Sequence, residues 1–260
     1  SGDTIDYIST EQSGLNIFDS TYVPQWSNGE YTYHALTVSN PFSGEDGSVD
    51  SDKLGDCVNK FFDNYVSGAD ATVVNDVYTF TNDNTVVKYY ENGVLEYYDY
   101  GTGTSSTEQT LSSAYTISQN FLQKDMYITN DIYLSGAETR NDGLALYYDY
   151  AVDDVPVEFS EDLTEETGMS HAIEIVVSND GVKRYKRYVA EFAKDDTVTA
   201  KINVDMISAW DNAIMNYKGT DVVTSVEDMA IGYYMDGESD IFIKWFTTVN
   251  GTVIVGDTYN

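Results

Sequence analysis

The sequence repeats one pattern three times: a segment with helical spacing of apolar residues, followed by β-rich runs that meet at or near an Asn-Gly or Asp-Gly turn. A lone hairpin cannot bury its apolar side, whereas a helix lying across an antiparallel sheet can cover it. Each copy therefore predicts a helix packed on a curled sheet. The copies are 54–65 with 74–100, 111–122 with 132–150, and 204–217 with 222–255.

The most linker-like stretch of the chain is the Gly, Thr and Ser tract at 101–107. We place a domain boundary there and predict an α+β protein of two lobes, each an antiparallel sheet curled around helices. The strand connections all suit antiparallel pairing. The predicted parts are an N-terminal extension at 1–52 with one or two strands, a first lobe at 53–103 and a larger second lobe at 108–260.

The charge balance is strongly acidic, with 13 Lys and Arg against 44 Asp and Glu and a net charge of −31. Nucleic acids and anionic lipid surfaces bind clustered cations, so neither is an expected partner. Solubility is the simplest reason for the acidity. The 23 tyrosines, many in β-like runs, suit a β-rich protein from outside the cytoplasm.

The single cysteine, Cys57, lies on the apolar stripe of the first predicted helix, which indicates a buried structural thiol. It excludes an internal disulfide and a Cys-rich zinc site. No run reaches the length of a membrane span, so we expect any anchor to lie outside this chain.

The sequence predicts no catalytic, cofactor or metal site. Its two histidines, His34 and His171, lie far from any nucleophile motif, and we interpret both as strand or strand-end residues. The acidic clusters have no recognised calcium spacing, although oxygen-rich loops of this kind leave calcium binding open. A hydrolase built on paired carboxylates is the remaining enzymatic alternative.

One cluster of cations stands out in this acidic chain. Four of the 13 cationic residues fall within five positions after the turn Asn179-Asp180-Gly181, and alternation puts charge on both faces of the strand, which indicates a strand at or near a sheet edge. Two interpretations stay open: pairing with acidic neighbours such as Glu158 or Glu174, or docking of an acidic partner segment. The cluster is Lys183, Arg184, Lys186 and Arg187.

Aromatic residues outside the repeat form a second candidate surface. Trp26, Tyr31 and Tyr33 could pack on the first lobe or bind a partner or a sugar. Trp210 and Trp245 lie inside regular elements and are predicted to be core residues.

The second half of the chain resembles the YycH-like and YycI-like regulators of Gram-positive bacteria over residues 155–255. The shared order is a strand with proline before an aromatic residue, an Asn-Gly turn, a helix, a Gly-Tyr-Tyr strand and a final Trp strand. A proline that the family has before that tryptophan is replaced here by Ile243-Lys244. The residues that carry the resemblance are Val155-Pro156-Val157-Glu158-Phe159, Asn179-Asp180-Gly181, Ala209 and Ala213, Ile231-Gly232-Tyr233-Tyr234, Trp245, and Asn250-Gly251.

The resemblance implies lobes similar to PepSY and cystatin-like domains, and a location outside the cytoplasm, secreted or anchored by a membrane helix or lipid. The family's transmembrane helix is not in this chain. From this we expect a non-enzymatic regulatory protein that binds a protein partner at the cell envelope. A surface carbohydrate-binding protein that uses exposed aromatic residues is the alternative.

Overall fold

A computed structural model of the chain divides it into two compact units. The larger unit comprises Ala35–Asp196 and Ile231–Ile243, and the smaller one comprises Ser1–His34, Thr197–Ala230 and Lys244–Asn260. The structure describes residues 6–10, 21–25, 32–44, 46–62, 71–101, 109–178, 181–202, 204–219 and 222–258.

In the described residues, each of the four helices begins after a polar residue whose side chain accepts a hydrogen bond from a main-chain N–H of the first turn. These N-cap residues are Asp50, Thr110, Ser160 and Asp205. The helices are α1 (Ser51–Asn59), α2 (Leu111–Leu122), α3 (Glu161–Thr167) and α4 (Met206–Asn216).

The strands are mostly short, and several neighbouring pairs are joined by two-residue turns. They are β1 (Asp6–Thr10), β2 (Thr21–Gln25), β3 (Thr32–Ser39), β4 (Thr72–Val74), β5 (Val77–Asn82), β6 (Thr85–Tyr90), β7 (Val94–Asp99), β8 (Asp131–Arg140), β9 (Gly143–Val152), β10 (Val155–Phe159), β11 (Ile173–Ser178), β12 (Gly181–Tyr188), β13 (Glu191–Lys201), β14 (Val226–Met235), β15 (Asp240–Val249) and β16 (Thr252–Asp257).

In the larger unit the strands follow the order β3-β15-β14-β10-β9-β11-β12-β7-β6-β5-β4, and β8 pairs with β9 beside this path. Helix α2 packs on β9, β11 and β12. The β9 side chains that face α2 are apolar or aromatic and buried, while the alternate residues of the same strand form a polar surface. Period-two burial therefore gives this sheet one core face and one open face.

The core beneath α1 and α2 is rich in stacked aromatic rings. Phe61 lies 5.4 Å from Phe121 and 5.7 Å from Tyr185, between ring centroids. Phe121 also contacts Tyr97 at 4.9 Å. Offset and edge-to-face pairs of this kind stabilise a core beyond the area that they bury.

A buried ion pair lies within this core. The Arg187 Nη1 atom of β12 is 2.8 Å from Asp125 Oδ2, and both side chains are fully buried. The contact is a charge pair outside hydrogen-bond geometry, since Arg187 Nη1 makes no hydrogen bond. Arg187 Nε donates to Tyr150 Oη at 2.9 Å, and Nη2 donates to the Tyr127 carbonyl at 2.6 Å.

The carboxylate of this pair gathers partners from other elements. Tyr185 Oη donates to Asp125 Oδ2 at 2.7 Å, and the Tyr127 N–H donates to Oδ1 at 3.1 Å. Cys57 of α1 lies with its Sγ 3.8 Å from Oδ1. Burial, and then the Asp125 charge, raise the pKa of the Cys57 thiol well above its usual value, so Cys57 is the buried structural thiol that the sequence predicts.

In the smaller unit, α4 packs on β16 through its small residues. Ala209 and Ala213 are buried, whereas Ile207 and Ile214 are exposed and Trp210 is 37% exposed. The prediction that Trp210 is a core residue is therefore wrong. Trp245, which is 4% exposed and donates from Nε1 to the Val204 carbonyl at 3.0 Å, is the core residue expected.

Other sequence predictions also need correction. Strand β10 pairs in parallel with β14, with Val157 opposite Tyr233, although every connection was expected to be antiparallel. The predicted domain boundary at 101–107 stays a prediction; in the structure, β7 of the first predicted lobe pairs with β12 of the second.

The buried pair generates a prediction about stability. We expect Arg187→Met to lower the free energy of unfolding by about 3–5 kcal/mol, because Asp125 would keep a buried charge without its counter-charge. Urea unfolding followed by circular dichroism measures the loss. Lys183→Met on the same strand is the matched control, since Lys183 Nζ donates only to the Gly101 carbonyl at 3.0 Å, and it should cost about 1 kcal/mol or less. Equal losses in the two variants would contradict the prediction.

Candidate functional site

The cation cluster of β12 is divided between the two faces of the sheet. Arg184 Nη2 lies 3.0 Å from Glu174 Oε1, which is the acidic neighbour named from the sequence. Lys186 Nζ donates to the Thr167 carbonyl at 2.9 Å and lies 3.7 Å from Glu96. These contacts support the pairing interpretation for Arg184 and Lys186.

The expected edge position of this strand is wrong. β12 lies between β11 and β7 and pairs with both. It carries charge on both faces because Arg187 is neutralised inside the core by Asp125, while Arg184 and Lys186 are paired on the open face. Arg187 has no exposed surface to offer a partner. Partner binding by Lys183, Arg184 and Lys186 stays a prediction.

The open face of the larger unit's sheet carries the densest polar network in the described residues. We call it the polar face, and it spans β7, β8, β9, β11 and β12. It consists of Glu96 and Tyr98, Glu138 and Arg140, Tyr147 and Asp149, Glu174, Arg184 and Lys186, with His171 at the start of β11.

Arg140 is the centre of this network. Its Nη1 and Nη2 atoms lie 2.7 and 3.3 Å from the two oxygens of Glu174, and Nε lies 3.2 Å from Glu138 Oε2. Tyr147 Oη accepts from Arg140 at 2.7 Å and donates to Glu138 at 2.8 Å. Glu174 thus bridges Arg140 and Arg184, and each charge has a fixed partner before any ligand arrives.

A second acidic centre lies on β7. Tyr90 and Tyr98 both donate to Glu96 Oε2, at 2.9 and 3.0 Å. Burial, and then the hydrogen bond to Glu96, raise the pKa of Tyr90 to about 12, so this hydroxyl stays a donor at physiological pH. The Tyr98 ring stacks on the exposed ring of Tyr100 at 6.1 Å. The polar face therefore joins paired charges with flat aromatic surface.

The polar face also brings a serine, a histidine and an aspartate together. His171 Nδ1 is 2.9 Å from Asp149 Oδ2, and Ser135 Oγ is 3.4 Å from the same Nδ1. A hydrolytic triad needs the aspartate on one ring nitrogen and the nucleophile on the other. This arrangement does not meet that requirement, and the His171 ring stacks on Tyr147 at 4.6 Å.

The other predicted site residues do not belong to the polar face as the structure describes it. Trp26 and Tyr31 lie outside the residues that the structure describes, and Tyr33 lies in β3, half-buried. Sequence reasoning missed Arg140, Tyr147 and Asp149. The signal that could have found Arg140 is its place just before the turn at 141–142, where cross-strand pairing brings it near Tyr147.

One pocket in the described residues is small and polar. A pocket of about 190 Å³ beside the β5–β6 turn is polar, and it falls below the usual size of a ligand pocket. Within the described part of the chain, no three metal-binding side chains converge on a point where an ion could sit. None of the described helices combines the length and apolarity needed to cross a bilayer. The pocket is lined by Phe62, Asn82, Asp83, Asn84, Thr85, Tyr97 and Asp99.

Comparisons with known proteins show similarity in fold. No family model matches the chain, and no curated protein is significantly similar in sequence. The crystal structure of YycH from Bacillus subtilis is 14% identical with a TM-score of 0.53; the match covers 96% of this chain and 56% of that one. An uncharacterized protein from Eubacterium rectale is 12% identical with a TM-score of 0.56, covering 93% and 88%.

A weaker match is the Bacillus megaterium YpeB C-terminal domain, at 9% identity and a TM-score of 0.40, covering 86% of this chain and 85% of that one. This chain spans just over half the length of the YycH chain that it matches. The resemblance stated from residues 155–255 is thus confirmed at the level of the fold: the chain has a YycH-like α+β fold.

The His171–Asp149 contact generates a prediction about pH. The hydrogen bond to Asp149 raises the pKa of His171 above its usual value near 6.5, against the opposing effect of burial. A raised folded pKa stabilises the fold fully below the unfolded value, and this contribution is lost as pH rises through the folded pKa. We expect a two-dimensional NMR titration to place the His171 midpoint above 6.5.

The matched variant is Asp149→Asn, whose side-chain oxygen can still accept the Ala172 N–H that Asp149 Oδ1 accepts at 3.0 Å. It should lower the His171 midpoint and flatten the fall of unfolding free energy above pH 6.5. An unchanged midpoint would show that Asp149 does not control this group.

Proposed function

We propose that the chain is a non-enzymatic, extracytoplasmic regulatory module of a Gram-positive bacterium that acts by binding a protein at the cell envelope. The polar face is its binding surface. Location, mode of anchoring and the absence of catalysis are part of this proposal. The YycH-like fold, which extends over nearly the whole chain, supports it.

The observation that carries the proposal is the preorganised pairing of Arg184 and Lys186 with Glu174 and Glu96. Arginine and tyrosine are enriched in protein interfaces, where fixed side chains lose little entropy on binding. Here both residue types lie on one open sheet face, with Tyr98 and Tyr147 among the charges. A small molecule needs a concave site, whereas a protein partner can bind an open sheet face.

Photo-crosslinking tests this proposal in its native context. A benzoylphenylalanine residue at Tyr98, on the polar face, should crosslink to a protein in the bacterium's envelope fraction. The same residue at Tyr115, an exposed position on α2, is the control position. Mass spectrometry identifies the product. The proposal would be contradicted if crosslinking at Tyr98 were no stronger than at Tyr115. It would also be contradicted if the chain bound glycans on an array and crosslinked to no protein.

Removal of two cations tests the role of the paired charges. In the Tyr98 crosslinking format, Arg184→Gln with Lys186→Gln should reduce the protein product about tenfold, the effect of losing roughly 1.4 kcal/mol of binding free energy. The matched control is Lys194→Gln with Lys244→Gln, which removes two cations paired with Asp153 and Asp257 elsewhere in the chain. Equal reductions in both double variants would indicate a general effect of charge.

A further inference from the structure

Strand β8 is an edge strand of unusual length. It pairs with β9 from Asp131 opposite Ala151 to Arg140 opposite Gly143, and no other described strand pairs with it. Within the described part of the chain, its second edge therefore presents main-chain N–H and C=O groups that no strand pairs with. Proteins usually shorten such edges, as the three-residue β4 at one end of the strand order illustrates.

One side of β8 continues the apolar core face of the sheet, beyond the strands on which helix α2 packs. Leu134 and Ala137 lie opposite Tyr148 and Leu146, whose side chains are buried. Helix α2 packs on β9, β11 and β12, and among the described residues it contacts β8 less than any of these three strands. Leu134 is consequently 38% exposed although it lies in the same layer as the core.

The other side of β8 belongs to the polar face and is acidic. Tyr133 lies opposite Asp149, and Glu138 reaches Tyr147 with an exposed carboxylate. Arg140 is the one cation of β8, and it is already held by Glu174 and Glu138. Arg184 and Lys186 lie on β12, which is separated from β8 by β9 and β11. A cationic side chain that arrived next to β8 would therefore meet the exposed Glu138 carboxylate first, in a chain of net charge −31.

We propose that β8 accepts an extended segment of a protein partner as an added strand, and that this segment alternates apolar and cationic residues. The inference rests on the proposed function and names the binding mode and chemistry of its partner. Main-chain hydrogen bonds supply general affinity in such strand addition, and alternate side chains supply specificity. Apolar residues would extend the Leu134 row, and cationic residues would lie beside Glu138 and Asp149.

Two features oppose pairing of β8 with a second copy of the chain. Each copy carries a net charge of −31, so close approach of two copies is repelled. A β-bulge between Leu134 and Gly136 also interrupts the flat edge, and bulges hinder indiscriminate pairing. A cationic partner is attracted where a second copy is repelled, because its charges complement the acidic side of the strand.

The test uses the full 260-residue chain and two fluorescent ten-residue peptides of equal composition. One alternates Val and Lys, and the other has five Lys followed by five Val. Fluorescence anisotropy at 0.15 M NaCl should show about tenfold tighter binding of the alternating peptide. Hydrogen exchange should show slower exchange of amides in 131–140 on binding. Equal affinities, or no protection of β8, would overturn the proposal.

Leu134→Lys and Val73→Lys form a matched pair of variants, each adding one cation to an exposed apolar residue of a terminal strand. Leu134→Lys should weaken binding of the alternating peptide about tenfold, whereas Val73→Lys on β4 should leave it within about twofold. Equal weakening would contradict the proposal. Concentration-dependent protection of β8 without peptide would show that a second copy is the occupant, and would overturn it as well.

The Tyr98 crosslinking experiment distinguishes failure of this proposal from failure of the proposed function. If Leu134→Lys leaves the Tyr98 product unchanged while Arg184→Gln with Lys186→Gln reduces it, strand addition is wrong and the protein-binding role stands. If the Tyr98 position yields no specific protein product, the role itself is wrong. If Leu134→Lys reduces the Tyr98 product and Val73→Lys does not, the result supports both the protein-binding role and strand addition.

Discussion

The larger unit depends on the buried pair of Arg187 and Asp125. A guanidinium without contact to water is tolerated only where charge and hydrogen bonds compensate for its lost hydration. Here the compensation comes from β9, from the segment after α2 and from β12 itself, through Tyr150, Tyr127 and Tyr185. Because these groups must surround the buried pair, the end of α2 is fixed against the sheet, and Cys57 of α1 is held beside the Asp125 carboxylate.

This anchoring explains how one strand can carry four cations in an acidic protein. Alternation sends Arg187 into the core, and it sends Arg184 and Lys186 to the polar face, where Glu174 and Glu96 pair with them. The core side holds β12 rigidly, so the charges on its other side have defined positions. A surface with fixed, paired charges loses little entropy when a partner binds, which is what a specific interface requires.

Local patterns in the sequence predicted local structure well and long-range pairing poorly. Helix α2 was predicted almost to the residue from its apolar spacing, and in the structure Thr110 caps it. Helix α3 was missed because its acidic run resembles a loop, although Ser160 and Gly168 mark its ends. The interior position of β12 and the parallel pairing of β10 depend on strands distant in sequence, which no local pattern encodes.

The length of β8 has a physical cause and bears on function. A serine-glycine pair such as Ser135-Gly136 usually indicates a turn. In the structure this pair forms a bulge and the strand continues to Arg140. A fold shared at 12–14% identity does not specify a partner. Under the proposal made here, side chains and the β8 edge specify it, and the bulge bends this ten-residue strand locally.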